Sequence, residues 1–388
     1  MSKVDELIQE LCPDGVKRVA LGEVGTFVRG NGLQKSELQT EGFPAIHYGQ
    51  IHTVYNHAAN ETKSFVSEEK FEKLKKAAPG DIVLATTSED DEAVGKAIAW
   101  LGDTEVAVSG DAIIYSHSLN PSFVSYFLES PAFQDQKAKH ISGTKVRRIS
   151  SKSLSAILIP LPPLEVQEEI VRILHQFVEL DRELEEEIAG REQQFNLALE
   201  GLLAGVKSSR TESVDSVFNV SRGRVISKGY LRDNRGDYPV YSSQTQNGGV
   251  FGYIDSYDID EESLTWTTDG AYAGAVFYHA PGERFSITNV CGLLTPKQPQ
   301  QHSMKFLHSA LGAETRKHVS QGMGNPKLMS TAMKRIQIPL PPLEVQDEIA
   351  AKLDAFTEYI DNLKRERELR QKQYEYYRNQ LLDFKVKE

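Results

Sequence analysis

The sequence predicts an α+β chain built twice, with two β-rich domains each followed by one long helix. Three observations carry this. A phrase of twelve residues, IPLPPLEVQEEI at Ile159–Ile170, returns 179 positions later as IPLPPLEVQDEI at Ile338–Ile349, with one conservative change. After each phrase, apolar residues recur at spacings alternating near 3 and 4, the seam of a coiled-coil-like helix lasting about five heptads. Before each phrase the chain is rich in Gly, Ser, Thr, Tyr and Val. Short apolar runs there (GDIVLATT, DAIIYS, YPVYSS, SLTWTT) read as strands and turns with a few small helices.

The elements follow in order. Residues 1–158 form the first domain, 159–205 the first spacer helix, 206–337 the second domain and 338–388 the second spacer helix. The opening MSKVDELIQELC is an acidic amphipathic helix, without the basic start and apolar centre of a signal peptide. The pairs Pro162-Pro163 and Pro341-Pro342 forbid helix before them and favour a first helical turn just after. Glu165, Glu168 and Glu169, matched by Glu344, Asp347 and Glu348, put negative charge where a helix N-terminus is partially positive. The first seam runs through Ile170, Leu174, Phe177, Leu184, Ile188, Phe195 and Leu202. The second runs through Ile349, Leu353, Phe356, Leu363, Arg367, Tyr374 and Leu381, and Ile360 fills the slot that Asp181 holds in the first copy. At about 1.5 Å per residue each helix spans roughly 55–60 Å. Helices with matching seams pack most simply on each other; the alternative is that each docks on its own domain. A period this long excludes a solenoid, whose units are about 20–50 residues, and indicates duplication of a domain with its connector.

Composition narrows the function. No run of 18 apolar residues occurs, so no membrane span is expected. Two distant cysteines, Cys12 and Cys291, argue for a reducing, cytoplasmic setting and against a disulfide framework or zinc site. The net charge is −11, but residues 164–205 alone carry −8 while residues 206–335 carry +3, so the sum does not exclude DNA. Asn120–Phe123 (NPSF) lacks the second proline of an amino-methyltransferase loop, no glycine-rich cofactor cradle follows an early strand, and a turn opening the helix Phe123–Leu128 explains it. No phosphate-binding loop is present. The acidic clusters SEDDE (88–92) and DIDEE (258–262) lack the partners of a metal nuclease and read as solvated loops. The histidines lack ligand spacing. The chain is expected to be non-catalytic, with no metal and no cofactor of its own.

Binding is better supported. KAKHISGTKVRRISSKSL (137–154) has six basic and no acidic residues, mixed with Ser, Thr and Gly. Lys137, Lys139, Thr144, Lys145, Arg147, Arg148 and Lys152 suit phosphates, and arginine suits guanine edges. At the equivalent place in the second copy, RKHVSQGMGNPKLMS (316–330) offers Lys327 together with Gln321 and Asn325, amides suited to adenine edges. The loop RGNGLQK offers Arg29, Asn31 and Lys35, and its counterpart SRGRVISK offers Arg222, Arg224 and Lys228. YGQIH offers Tyr48 and Gln50; YSSQTQ offers Tyr241 and Gln244. TTDGAYAG (267–274) could bring backbone close to a ligand, although a tight turn explains its glycines equally well.

The repeated IPLPP phrase, each time after a variable domain and before a long helix, resembles the specificity subunits of Type I restriction-modification systems over nearly the whole chain. The ending QKQYEYYRNQLL (371–382) also resembles that family's second spacer helix, whereas the first helix, with EQQFNLALEGLL, lacks the double tyrosine. The resemblance implies two target-recognition domains joined by two helices packed as an antiparallel coiled coil with pseudo-two-fold symmetry, acting as a ruler. Each domain would read half of a bipartite, asymmetric double-stranded DNA site. Partners would be two modification subunits that methylate adenine with S-adenosylmethionine and, in the restriction form, motor-nuclease subunits using ATP and Mg2+. The competing readings are a coiled-coil scaffold that binds only proteins, and a specificity subunit of another restriction class.

Overall fold

The computed structural model describes residues 3–206, 209–243, 246–320 and 324–387; Gln244 and Gln321 lie outside them. The chain divides into two compact units, Met1–Leu184 with Glu366–Glu388, and Glu185–Arg365. Each contains one β-rich domain and one end of each long helix.

In the first unit a five-stranded sheet has the order Gly25–Arg29, Ala112–His117, Ile82–Ala85, Ala97–Trp100, Ala58–Ala59. A four-stranded sheet has the order Phe65–Val66, Phe43–Ile46, Val106–Val108, Lys76–Ala77. The strands Ile82–Ala85 and Ala97–Trp100 are buried at every position, which is why they read as unbroken apolar runs. Asn120 caps the helix Pro121–Glu129, its Oδ1 accepting the Phe123 N–H at 3.2 Å; NPSF is a helix start. In the second unit the main sheet runs Phe218–Arg222, Cys291–Pro296, Ser263–Thr267, Val276–His279. Beside it lies a sheet of Val250–Ile254, Tyr238–Tyr241 and Ser286–Ile287.

The repeated phrase does the same work in both units. Its Ile-Pro lies in a short strand, Leu158–Pro160 or Gln337–Pro339, paired antiparallel to Arg18–Ala20 or Thr211–Ser213 respectively. Ile159 and Ile338 are buried in the two cores, as are Ile170 and Ile349 one helical turn and more downstream. The glutamine in between is a clamp. Gln167, 3 % exposed, donates from Nε2 to the Pro162 carbonyl (2.8 Å) and accepts the Asn120 N–H on Oε1 (3.0 Å). Gln346, 2 % exposed, donates to the Pro341 carbonyl (2.8 Å) and accepts the Ser303 N–H (3.1 Å). Asn120 and Ser303 each open a helix, Pro121–Glu129 and Met304–Thr315. One amide thus ties the proline turn to the start of a domain helix, and no other side chain of that length carries both a donor and an acceptor at its end.

The long helices are Leu164–Gly205 and Leu343–Leu382, of 42 and 40 residues. Within the first unit, Phe177 packs on Tyr374 and Tyr377, while Asp181 accepts two bonds from Arg367, Nε and Nη2 both at 2.9 Å. A rising number on one helix meets a falling number on the other, so the segments are antiparallel. Within the second unit Tyr359 donates to Glu187 (2.9 Å), and Phe195, Leu199 and Leu202 join the core of Ile349 and Leu353 in the same sense. The two departures from the seam therefore meet: Asp181 pairs with Arg367. Their counterparts one repeat away, Ile360 and Ile188, are buried apolar residues.

Candidate nucleic-acid interface

Both units build the same corner from matching backbone bonds. In the first, Arg29 ends a strand opposite Ile113, and the Gly30 N–H donates to the Ala112 carbonyl at 3.0 Å. In the second, Arg222 lies opposite Gly292, and the Gly223 N–H donates to the Cys291 carbonyl at 3.3 Å. A Cβ on Gly30 would collide with the carbonyl of Ser109, and one on Gly223 with the carbonyl of Ile287. The next layer is a threonine. Thr86 donates from its N–H and its hydroxyl to the Asp111 carbonyl (both 2.9 Å); Thr268 does the same to the Val290 carbonyl (3.3 and 2.9 Å). Each threonine carbonyl accepts from the end of a hairpin, from Ile149 N–H at 3.1 Å or Leu328 N–H at 2.9 Å. Ser142 and Arg148 exchange both backbone bonds to close the first hairpin (3.0 and 2.8 Å), as Ser320 and Lys327 close the second (2.8 and 3.2 Å). Gly95 and Gly274 close the threonine loops by donating to the Ala85 and Thr267 carbonyls, both at 2.8 Å, each with a left-handed φ. TTDGAYAG is accordingly a tight turn fixed against the hairpin, with Gly270 N–H on the Pro326 carbonyl at 3.0 Å.

The corner gathers many of the cations expected from sequence. In the first unit Arg29 donates to the Gly110 carbonyl (2.6 Å) and pairs with Asp111 (3.1 Å). Thr144, Lys145 and Arg148 are exposed on the hairpin, and Arg147 bonds the Gly143 carbonyl (2.6 Å) and Asp91 (2.8 Å). Lys35 is exposed at a short 3₁₀ turn. Burial, then the charge of Lys35, push the His47 imidazole below its ordinary value against the opposing pull of Asp111, so Lys35 and Asp111 act on one ring. The Tyr48 ring lies tilted against that ring, centroids 4.6 Å apart, and the Tyr48 N–H donates to the Ser109 hydroxyl at 2.8 Å. In the second unit Arg222 meets the Thr268 hydroxyl (3.2 Å) and Asp269 (4.0 Å), and Lys327 meets Asp269 at 3.4 Å. Asn325 is exposed on the hairpin. Arg224 pairs with Asp258 at 2.9 Å over the Tyr230 ring, and Lys228 is exposed at the start of Lys228–Asp233.

Four expected side chains are engaged elsewhere. Asn31 bonds the Lys73 carbonyl (3.0 Å) and the Lys75 N–H (2.6 Å). Gln50 accepts the His47 N–H (3.0 Å) and donates to the Ser64 hydroxyl (2.6 Å). Tyr241 donates to Glu283 (2.9 Å) with its ring against His279 and Phe285. These three have their polar ends taken up in holding loops and strands. Lys137 departs from the expected basic surface altogether: it is 1 % exposed, and its ammonium donates to the Glu92 and Val94 carbonyls, both at 2.8 Å. Sequence reading missed the four aspartates. Asp91 and Asp258 belong to the two acidic clusters, which are partners of arginines rather than purely solvated loops.

The family described as Type I restriction modification DNA specificity domain matches the chain twice, over residues 13–190 and 209–371. The chain belongs to this family. A Mycoplasma pneumoniae protein named as a type I specificity subunit is 37% identical over 236 residues, 60% of this chain and 98% of that one. Another is 42% identical over 178 residues, 45% of this chain and 58% of that one. The MpnII type I restriction enzyme specificity subunit of the same organism is 40% identical over 178 residues, 45% of this chain and 53% of that one. The alignments with the latter two thus span little more than half of those proteins. The fold of the family is shared with the S subunit solved from M. genitalium, with a TM-score of 0.58 at 14% identity over 95% of this chain and 96% of that one. A chain solved in work on complex assembly and conformational transition of the type I R-M system has a TM-score of 0.59 at 19% identity, over 95% and 97%. Among the described residues, no helix is long and apolar enough to cross a membrane, and no group of three or more His, Cys, Asp or Glu could hold a metal ion.

Proposed function

We propose that this chain is the non-catalytic, sequence-reading subunit of a type I restriction-modification enzyme, and that each unit reads one half of a bipartite, asymmetric site in double-stranded DNA. The observation that carries this is the twice-built corner, in which a glycine turn, a threonine loop and a basic hairpin present arginine, lysine and amide side chains in one frame. Phosphate contacts from such groups fix register, and base-edge contacts carry sequence. Unlike residues in a like frame (Arg147 on the first hairpin, Asn325 and Lys327 on the second) support different half-sites. The helices would set the unspecified gap and bind two modification subunits. S-adenosylmethionine for adenine methylation, and ATP with Mg2+ where motor-nuclease subunits take part, would belong to those partners. The setting would be cytoplasmic.

The test is co-expression with a candidate modification subunit, followed by mapping of methylated adenines across host DNA. A split motif around a fixed gap is expected. Methylation at one undivided motif, or none from a soluble assembled complex, would overturn the reading.

A further inference from the structure

The candidate cations fall into two sets. Four arginines have a carboxylate beside them and a second fixed contact. Arg29 is held by Asp111 and the Gly110 carbonyl, and Arg147 by Asp91 and the Gly143 carbonyl. Arg224 is held by Asp258 with its guanidinium 5.0 Å from the centre of the Tyr230 ring, and Arg222 by the Thr268 hydroxyl next to Asp269, which also meets Lys327. Lys35, Lys145, Arg148 and Lys228, all exposed, have no acidic group within 4.0 Å among the described residues.

We infer that Asp91, Asp111, Asp258 and Asp269 are positioning residues for base reading: the cations they hold read base edges, and the cations without an acidic partner hold phosphates. This rests on the function proposed above. A guanidinium has five N–H donors in a rigid fork, so one or two bonds to protein fix its plane and leave donors for a bidentate contact with guanine O6 and N7. The carboxylate also acts on the choice of partner. A phosphate brings its own negative charge up to the aspartate, whereas a base edge is neutral, so the pair disfavours backbone binding more than base binding. An unpaired lysine suffers no such penalty and adds sequence-independent affinity that falls with salt.

The experiment uses the full chain assembled with its modification subunits, a labelled duplex carrying the mapped site and a scrambled duplex, titrated from about 50 to 200 mM salt. Asp111→Asn is expected to raise affinity for the scrambled duplex several-fold and to steepen its logarithmic salt slope by about one. Preference for the site should fall about tenfold, and Asp111→Glu should restore most of it. Asp91→Asn should behave alike at the same half-site; Asp258→Asn and Asp269→Asn should act on the other. Lys145→Gln and Arg148→Gln should weaken both duplexes by the same factor and make the slope shallower by about one. Asp→Asn variants that weaken both duplexes equally with unchanged slopes would make the aspartates merely structural and overturn the inference. If Lys145→Gln and Arg148→Gln also leave DNA binding untouched, the corner is not the DNA surface and the functional reading fails with it.

Discussion

Replacing Gln346 by alanine tests why the phrase is repeated. The amide is 2 % exposed; without it the Pro341 carbonyl loses a 2.8 Å bond in a buried place and the Ser303 N–H loses a 3.1 Å bond in a part-buried one. An orphaned buried group costs about 1–3 kcal/mol and the part-buried Ser303 N–H falls at the low end of that range, so the two together amount to about 2–4 kcal/mol. Because Ser303 opens the helix Met304–Thr315 and Pro341 precedes Leu343–Leu382, the loss should be felt in the second unit. Hydrogen exchange followed by mass spectrometry can locate it. Peptides of Met304–Thr315 should exchange about thirtyfold faster or more, since each 1.4 kcal/mol is about tenfold, while Pro121–Glu129 stays unchanged. Gln167→Ala should give the reverse. A loss below about 0.5 kcal/mol, or equal acceleration in both helices, would refute the clamp.

Asp181→Asn alone should lower stability by about 1–2 kcal/mol in urea, whereas joint Asp181→Ile and Arg367→Ile, which copies Ile360 and Ile188, should stay within about 1 kcal/mol of the parent. The bonds from Arg367 hold the Asp181 carboxyl below its ordinary value of 3.8, so the pair contributes fully above that pH and is lost as pH falls through the lowered value; an acid titration of unfolding free energy checks the sign. Burial pulls the Lys137 ammonium down from 10.5 to about 8, so between those values the unfolded chain binds the extra proton and stability should rise with pH; Lys137→Met should flatten that rise. Lengthening each long helix by four residues, about 6 Å, should change the unspecified gap by about two base pairs and leave both half-site sequences as they were, read again by methylation mapping.

Much of the fold is legible because buried positions constrain residue type locally. Ile159, Gln167 and Ile170 each meet a demand that Ile338, Gln346 and Ile349 meet again, so the sequence repeats where the packing does. The hairpins could be aligned for the same reason: Ile149 and Leu328 are buried, and Ser142 and Ser320 close equivalent bridges. The pairing of charges was not legible. Arg29 lies 82 residues from Asp111 and Arg224 lies 34 from Asp258, and strand order alone brings them together. Asn31, Gln50 and Tyr241 have the right chemistry for bases, but nothing local reveals that backbone amides, hydroxyls and a carboxylate already occupy them. Lys137 sat in a basic run, yet its place on the helix Pro131–Ala138 points its ammonium at two carbonyls beneath.

The partition of the chain has a consequence for its synthesis. The second unit is one continuous stretch, Glu185–Arg365, but the first needs Glu366–Glu388 as well as Met1–Leu184. Leu382 and Phe384 lie in its core, and Tyr374 reaches His57 and Glu129. A ribosome therefore emits the N-terminal unit first and its closing helical turns last, across a separation of 186 residues between Asp181 and Arg367. Loop closure over such a distance is slow and leaves apolar surface waiting. The unit translated later is the one able to fold first, and an early stop codon after Arg365 would cripple the older half of the molecule rather than the newer.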